Sequence, residues 1–394
     1  MKLSIIIVSY NVKYYLGQVL RSIVKSAGTE IDYEVWVVDN ASKDGTREYL
    51  KRTFRRAEWL HTVYNKDNVG FGRANNQALR YVKGDYVLFL NPDTLLGETT
   101  LKDTLEFMEN HPDAGAVGVR MLHPDGRFAL ESKRGVPTPW AAACKLLGLT
   151  RLFPRSRWTG QYYMQYLAED EEGVIDIVSG AYMVVQRSVL DETGGFDESF
   201  FMYGEDIDLS YRIQKAGYTN YYLPTPILHY KGASTQKNTF RYAHVFYNAM
   251  FIFFNKHYKH SYPLLSIPIR LFTLVAAVGG QVKAWRKYLN PVKYKKERYL
   301  FIGRRSLFRE VTAICDSYGI DISVYPGTEK SLPRGHNSEE VDASGFDFVV
   351  YDVEVFSTRA ILGYFMESQK QFVGTYYSPL RTLITHRRAM HNGR

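Results

Sequence analysis

Apolar runs at 3–9, 33–38, 59–64, 86–90 and 115–119 read as strands, and segments of helical spacing at 12–26, 46–54, 72–82 and 99–110 lie between them. In the first of these helices Leu16, Val19, Leu20 and Ile23 share one face. Strands separated by whole helices cannot pair as tight hairpins. They must lie side by side through crossovers, which predicts a mostly parallel sheet with helices on both faces. Such sheets bind ligands beyond the carboxyl ends of their strands. The polar clusters Asp39-Asn40, 65–68 and 91–93 all fall there.

The pattern then loosens. Residues 126–172 read as a loop-rich insertion, and 175–186 as a strand pair or bent strand broken at Gly180. Helices follow at 188–193 and 206–216, short strands at 221–223 and 227–230, and an aromatic-rich helix at 241–258. From about Arg298 a second, smaller α/β unit begins, with strands at 299–303, 322–325 and 346–352 and helices at 306–318 and 357–370. The expected organisation is a larger α/β domain over 1–260, an amphipathic basic linker over 261–297 and a small unit of unknown role over 298–394.

The net charge of +9 implies an anionic partner or surface, and the excess concentrates at 283–309 and 381–394. No segment reads as a membrane span. The nearest, 262–280, holds Pro263, Pro268 and Arg270 and sits at the short end of the spanning range. Lys283, Arg286, Lys287, Lys293, Lys295 and Lys296 follow it, a pattern that suits an interfacial segment at anionic headgroups better than a nucleic-acid site. The plainer alternative is a buried helix followed by a solvated basic stretch. Two widely spaced cysteines, Cys144 and Cys315, exclude a disulfide framework or zinc motif and favour a reducing compartment. The expected location is cytoplasmic, peripheral at the inner face of the membrane.

Two separated acidic sites carry the chemistry. Asn91-Pro92-Asp93 closes the strand 86–90, and a hard divalent cation needs one or two carboxylates, taking its other ligands from phosphate and water. A Pro-containing turn with Asp93 as a cap explains the same residues. Glu205, Asp206 and Asp208 crowd the start of a helix after the apolar run 200–203, where lost hydration makes carboxylates better proton acceptors. Helix capping explains one of these acids, not three. Asp39 closes a strand, where it can accept hydrogen bonds from a ligand or shape a turn. In the loop 65–76, Lys66, Arg73 and backbone N–H groups could meet a diphosphate, although the spacing is neither a Walker nor a Rossmann fingerprint. His229 ends a short strand and gains meaning only beside Asp93.

Assembled, these residues resemble the inverting family 2 glycosyltransferases of the GT-A fold, in the rhamnosyltransferase-like branch. The resemblance rests on Ser4-Ile5-Ile6-Ile7-Val8-Ser9-Tyr10-Asn11, Val38-Asp39-Asn40-Ala41-Ser42, Asn68-Val69-Gly70-Phe71-Gly72, Leu90-Asn91-Pro92-Asp93-Thr94 and Ser179-Gly180-Ala181. It continues through Gly194-Gly195-Phe196-Asp197-Glu198 and Gly204-Glu205-Asp206-Ile207-Asp208, covering about 2–260 and leaving the C-terminal unit outside. It implies Asp206 as catalytic base with Glu205 beside it. Substrate contacts fall to Ser9, Tyr10, Asp39, Asn68, Gly70, Arg73, Asn91 and Asp208, and Mg2+ or Mn2+ to Asp93 and His229. Asn91 stands where relatives often carry a first Asp, which leaves one carboxylate for the metal. The implied donor is a dTDP- or UDP-linked sugar and the implied acceptor a glycan or polyprenyl-linked glycan, in surface polysaccharide synthesis. A non-catalytic nucleotide-sugar or glycan-binding module is the alternative. A nucleotidyltransferase would place a Gly- and Arg-rich loop after the first strand, and Ser9-Tyr10-Asn11 is not one. In the C-terminal unit, Phe301-Ile302-Gly303-Arg304-Arg305 has one glycine where a dinucleotide site needs several, so a structural or regulatory role is favoured there.

Overall fold

The computed structural model describes residues 2–138, 140–141, 144, 147–231, 239–258 and 296–391. The large sheet is built from β1 (Lys2–Ser9), β2 (Asp32–Asp39), β3 (Leu60–Tyr64), β4 (Tyr86–Leu90), β5 (Thr94–Leu96), β6 (Ala114–Leu122), β7 (Gly173–Val174), β8 (Tyr182–Gln186) and β9 (Thr219–His229). Its order is β3-β2-β1-β4-β8-β6-β9-β5, with β7 paired to β9. The half from β3 to β4 is parallel, as expected, and antiparallel β8 turns the other half into a mixed sheet.

Both faces are covered, which explains the unbroken apolar run 5–8 of β1. Leu3, Ile5 and Ile7 pack with α1 (Lys13–Ala27) and α4 (Thr100–Asn110). Ile6 and Val8 face the opposite layer, which holds α3 (Phe71–Leu79), α5 (Arg187–Thr193) and α6 (Glu205–Lys215). A strand buried on both sides has no polar face to alternate. Helices α2 (Thr46–Thr53) and α7 (Thr239–His257) complete this part.

Three local expectations change. The segments 221–223 and 227–230 form one strand, β9, whose register against β6 jumps from Val119↔Leu223 to Arg120↔Pro226. Pro224 cannot donate to a ladder, so the strand bulges instead of ending. Of 175–186 only Tyr182–Gln186 is strand, and Ile177 makes an isolated bridge to Arg134. The N–H of Gly180 leaves the sheet to bond the Asp206 carboxylate. The short β5 went unread because it is three residues long and follows a proline turn.

The second sheet runs β11-β10-β12-β13-β14-β15, with β10 (Arg298–Gly303), β11 (Asp321–Pro326), β12 (Phe348–Asp352), β13 (Phe372–Tyr377), β14 (Thr382–Thr385) and β15 (Ala389–His391). Helices α8 (Phe308–Ser317) and α9 (Thr358–Ser368) cover it. The last three strands were not anticipated, because basic residues around Arg381 and Arg387 mask their short apolar runs. The two sheets share a core in which Val12, Tyr15, Leu95, Leu228 and Tyr230 pack with Tyr351, Phe356, Phe365 and Tyr377. Cys144 and Cys315 are both buried and unbridged. Of the expected linker, 261–295 lies outside the described residues.

Candidate active site

The carboxyl ends of the central strands open onto a cleft of about 330 Å³. Tyr10, Asn68, Asn91, Asp93, Glu205, Asp206 and His229 all line it, so sequence-distant residues converge as expected.

At one end, Ser9 and Asp39 are the last paired residues of β1 and β2. Both are buried, and neither Ser9 Oγ nor Asp39 Oδ1 has a hydrogen-bond partner. Burial raises the Asp39 carboxyl above its usual range, against hydrogen bonds from Ser42. Buried polar atoms are normally satisfied, so two orphans at adjoining strand ends leave hydrogen-bonding capacity open there. Next to them, Asn40 assembles the 68–70 turn. Its Nδ2 donates to Asn68 Oδ1 at 2.9 Å and its Oδ1 accepts from the Val69 N–H at 3.1 Å. Gly70 has φ +89°, and a Cβ there would meet the Phe201 carbonyl oxygen at 2.5 Å. The next N–H, of Phe71, donates to that oxygen. The glycine thus lets the 68–70 turn close against the loop that leads into α6.

At the centre, Asp93 directly precedes β5 and His229 ends β9, and their neighbours pair through Thr94↔His229. His229 Nε2 lies 3.4 Å from Asp93 Oδ1 and 3.3 Å from Asn91 Nδ2. His229 Nδ1 is buried without a partner. Among the described residues no group of three or more His, Cys, Asp and Glu side chains gathers. A carboxylate and an imidazole within reach of one point still fit a cation that takes its remaining ligands from phosphate and water.

At the far end, Gly204 caps α6 at φ +85° and turns Glu205 and Asp206 into the cleft. Asp206 Oδ2 accepts from Arg134 at 2.5 Å and from the Gly180 N–H at 3.1 Å. Glu205 is only 6% exposed, and its Oε2 has no partner. Burial, and then the adjacent Asp206 charge, push Glu205 up to about 8. Two neighbouring carboxyls are thereby separated in character: Asp206 is ion-paired with Arg134, and buried Glu205 holds its proton more tightly than an ordinary carboxyl.

Of the expected substrate residues, Ser9, Asp39 and Gly70 adjoin residues that line the cleft without lining it themselves, and Arg73 and Asp208 are engaged elsewhere. Arg73 pairs with Glu198 at 3.1 Å and does not line the cleft, because the α3 spacing turns it outward. Asp208 is fully buried and accepts from Arg212 at 2.8 Å and His257 at 2.7 Å, tying α6 to α7. Four cleft residues escaped the sequence reading: Glu131, Arg134, Tyr162 and Lys231. The first three lie in the irregular insertion, where no periodicity marks them. Lys231 pairs with Glu131 at 2.6 Å.

The sequence profile of the family described as "Glycosyl transferase family 2" matches residues 4–194. The chain is 30% identical over 263 residues to the N-acetylglucosaminyl-diphospho-decaprenol L-rhamnosyltransferase of Mycobacterium tuberculosis, covering 64% of this chain and 83% of that one. The chain belongs to glycosyl transferase family 2. It is also 29% identical over 262 residues to rhamnosyltransferase WbbL of Escherichia coli, covering 60% and 91% of the two chains. A solved mannosyltransferase from Pyrobaculum calidifontis, in complex with GDP-Man and Mn2+, overlaps 72% of this chain and 75% of its own at 20% identity and a TM-score of 0.45. The protein is therefore a glycosyltransferase of the rhamnosyltransferase-like branch, and the binding-module alternative falls. The family match ends at residue 194, short of the Glu205–Asp206 pair.

Proposed function

We propose that this glycosyltransferase moves a sugar, rhamnose by analogy with its relatives, from a dTDP- or UDP-linked donor to a hydroxyl of a glycan or polyprenyl-linked acceptor during surface polysaccharide synthesis. The observation that carries this reading is the convergence of Asp93, His229, Glu205 and Asp206 on one cleft at the strand ends.

Ser9, Tyr10 and Asp39 take the nucleoside, filling the orphaned hydrogen-bonding positions at β1 and β2. Asp93 and His229, with Asn91 beside them, would hold Mg2+ or Mn2+. Bound there, the cation supplies positive charge against the diphosphate leaving group. Asp206 accepts the proton of the acceptor hydroxyl, and Arg134 and the Gly180 N–H hold it in one orientation. Glu205, whose burial holds its proton more tightly than usual, donates a hydrogen bond to the acceptor instead of competing for that proton. Attack from the face opposite the leaving group inverts the anomeric configuration. Residues 1–260 form the catalytic domain, and the basic stretch over 261–297 holds it at the cytoplasmic face of the membrane. No helix among the described residues is long and apolar enough to cross a membrane.

A panel of nucleoside diphosphate sugars, each with Mg2+ or Mn2+, tests the reading through metal-dependent hydrolysis and thermal protection. One donor class is expected to stand out in both. Absence of hydrolysis and protection with every donor would overturn it. Binding to liposomes containing anionic lipid, and its loss at high salt, tests the membrane element separately.

A further inference from the structure

Among the described residues the C-terminal unit contributes no side chain to the cleft, yet buried hydrogen bonds link it through α1 to the residue that follows His229. We propose that this unit is a buttress that sets the spacing of those two residues, acting through a buried chain from Thr375 by way of Gln18 to Tyr230. The inference rests on the reading of Asp93 and His229 as the divalent-cation site.

Strand β5 has three residues and forms the edge of the large sheet. So short an edge strand has little of its own to fix its position. Asp93 enters it, and His229 is paired to its first residue. The residue after His229 carries the link: the Tyr230 N–H donates to the Asp93 carbonyl at 3.0 Å. The Tyr230 hydroxyl accepts from Gln18 Nε2 at 3.1 Å, and the same nitrogen donates to Thr375 Oγ on β13 at 2.9 Å. Beside this chain the Tyr15 ring meets Tyr230 edge to face at 5.4 Å, and the Tyr15 hydroxyl donates to the Thr385 carbonyl at 2.7 Å. Gln18, Tyr230 and Thr375 are each 2% exposed or less, so water cannot replace a lost partner. A shift of β13 must therefore be transmitted to the backbone joining His229 to Asp93.

The same interface has contacts that touch neither residue. Lys25 Nζ donates to the Val353 carbonyl at 2.7 Å, and Glu98 accepts from the Thr358 and Arg359 N–H groups at 2.7 and 3.0 Å. They supply the controls.

The test titrates Mn2+ against the full chain saturated with UDP or dTDP, by calorimetry or Mn2+ electron paramagnetic resonance, alongside thermal unfolding. Thr375→Val and Gln18→Leu are each expected to weaken Mn2+ binding about 3- to 10-fold. The double variant should lose no more than either alone, because both cut one chain. Thr375→Ser, which keeps the hydroxyl, should restore wild-type affinity. Lys25→Met and Glu98→Gln should lower the unfolding temperature and leave Mn2+ affinity within about twofold. If Thr375→Val does not fold, Tyr230→Phe removes the same link by one oxygen. Unchanged Mn2+ affinity in the chain variants, or equal weakening in the controls, would overturn the proposal and leave the cation site standing. Absence of Mn2+ binding by the wild type with both nucleotides would remove the cation site and this inference with it.

Discussion

At the carboxyl ends of β1 and β2, Ser9 Oγ and Asp39 Oδ1 are buried with no partner, and Glu205 Oε2 and His229 Nδ1 are orphaned nearby. At the carboxyl end of β10, in the parallel part of the second sheet, Arg304 closes on Asp352 through bonds of 2.6 and 3.1 Å and also reaches Ser378. In both sheets the first strand has a parallel partner on each side, and both place polar residues where the strand order reverses. The first leaves hydrogen-bonding capacity unspent there, and the second consumes it internally. Satisfied strand ends hold a fold together, and unsatisfied ones wait for a ligand.

Four variants sharpen or break this comparison. Asp206→Asn has the largest expected effect, a fall in turnover of about 10²- to 10⁴-fold with circular dichroism unchanged. Near-wild-type turnover would take the base away from Asp206. In the supporting sheet, Arg304→Met strands the fully buried Asp352 charge. It should cost about 3 kcal/mol in chemical denaturation while sparing nucleotide affinity. Lost nucleotide binding without lost stability would show that the second sheet also serves a ligand.

Glu205 tests the same idea through pH. Its carboxyl is raised from 4.5 to about 8 in the fold, so the folded state holds its proton more tightly than the unfolded chain does. Its contribution to stability is therefore full below about pH 4.5 and is lost as pH rises towards about 8. Glu205→Gln should flatten that decline, measured as unfolding temperature from pH 5 to pH 8.5. An equally steep decline in the variant would place the titration elsewhere. Ser9→Ala is the smallest step. An unpartnered hydroxyl contributes no internal bond, so stability should hold within about 0.5 kcal/mol. Nucleoside diphosphate affinity should fall by about 1 kcal/mol, read by calorimetry. A stability loss with unchanged affinity would make Ser9 a core residue.

Much of the fold was legible along the chain because its strands are apolar on both faces and its helices carry continuous stripes. The first four strands and their helices fall within a few residues of expectation. Strands β5, β13, β14 and β15 were missed because they are short or flanked by charge, and the partner of β5 lies far away in sequence. Asp93, Glu205, Asp206 and His229 stand out in the sequence because acids and a histidine at strand ends or a helix start are chemically conspicuous, and all four line one cleft. Arg73 and Asp208 stand out for a related reason, yet both are held in ion pairs. Composition marks a charged residue, but only packing shows whether Glu198 or Arg212 has already taken it.

The amino-acid sequence by itself determined the α/β alternation, the positions of the strand ends and the residue types offered there, because periodicity and turn chemistry are local. The tertiary structure alone decided which offers remain open. It brought Arg134 from an irregular loop onto Asp206, drew Asp208 under α7 and joined Thr375 through Gln18 to Tyr230. Each of these pairings spans from 49 to 357 residues of chain. Hydrogen bonding and desolvation act over a few ångströms of space, whatever the distance along the backbone.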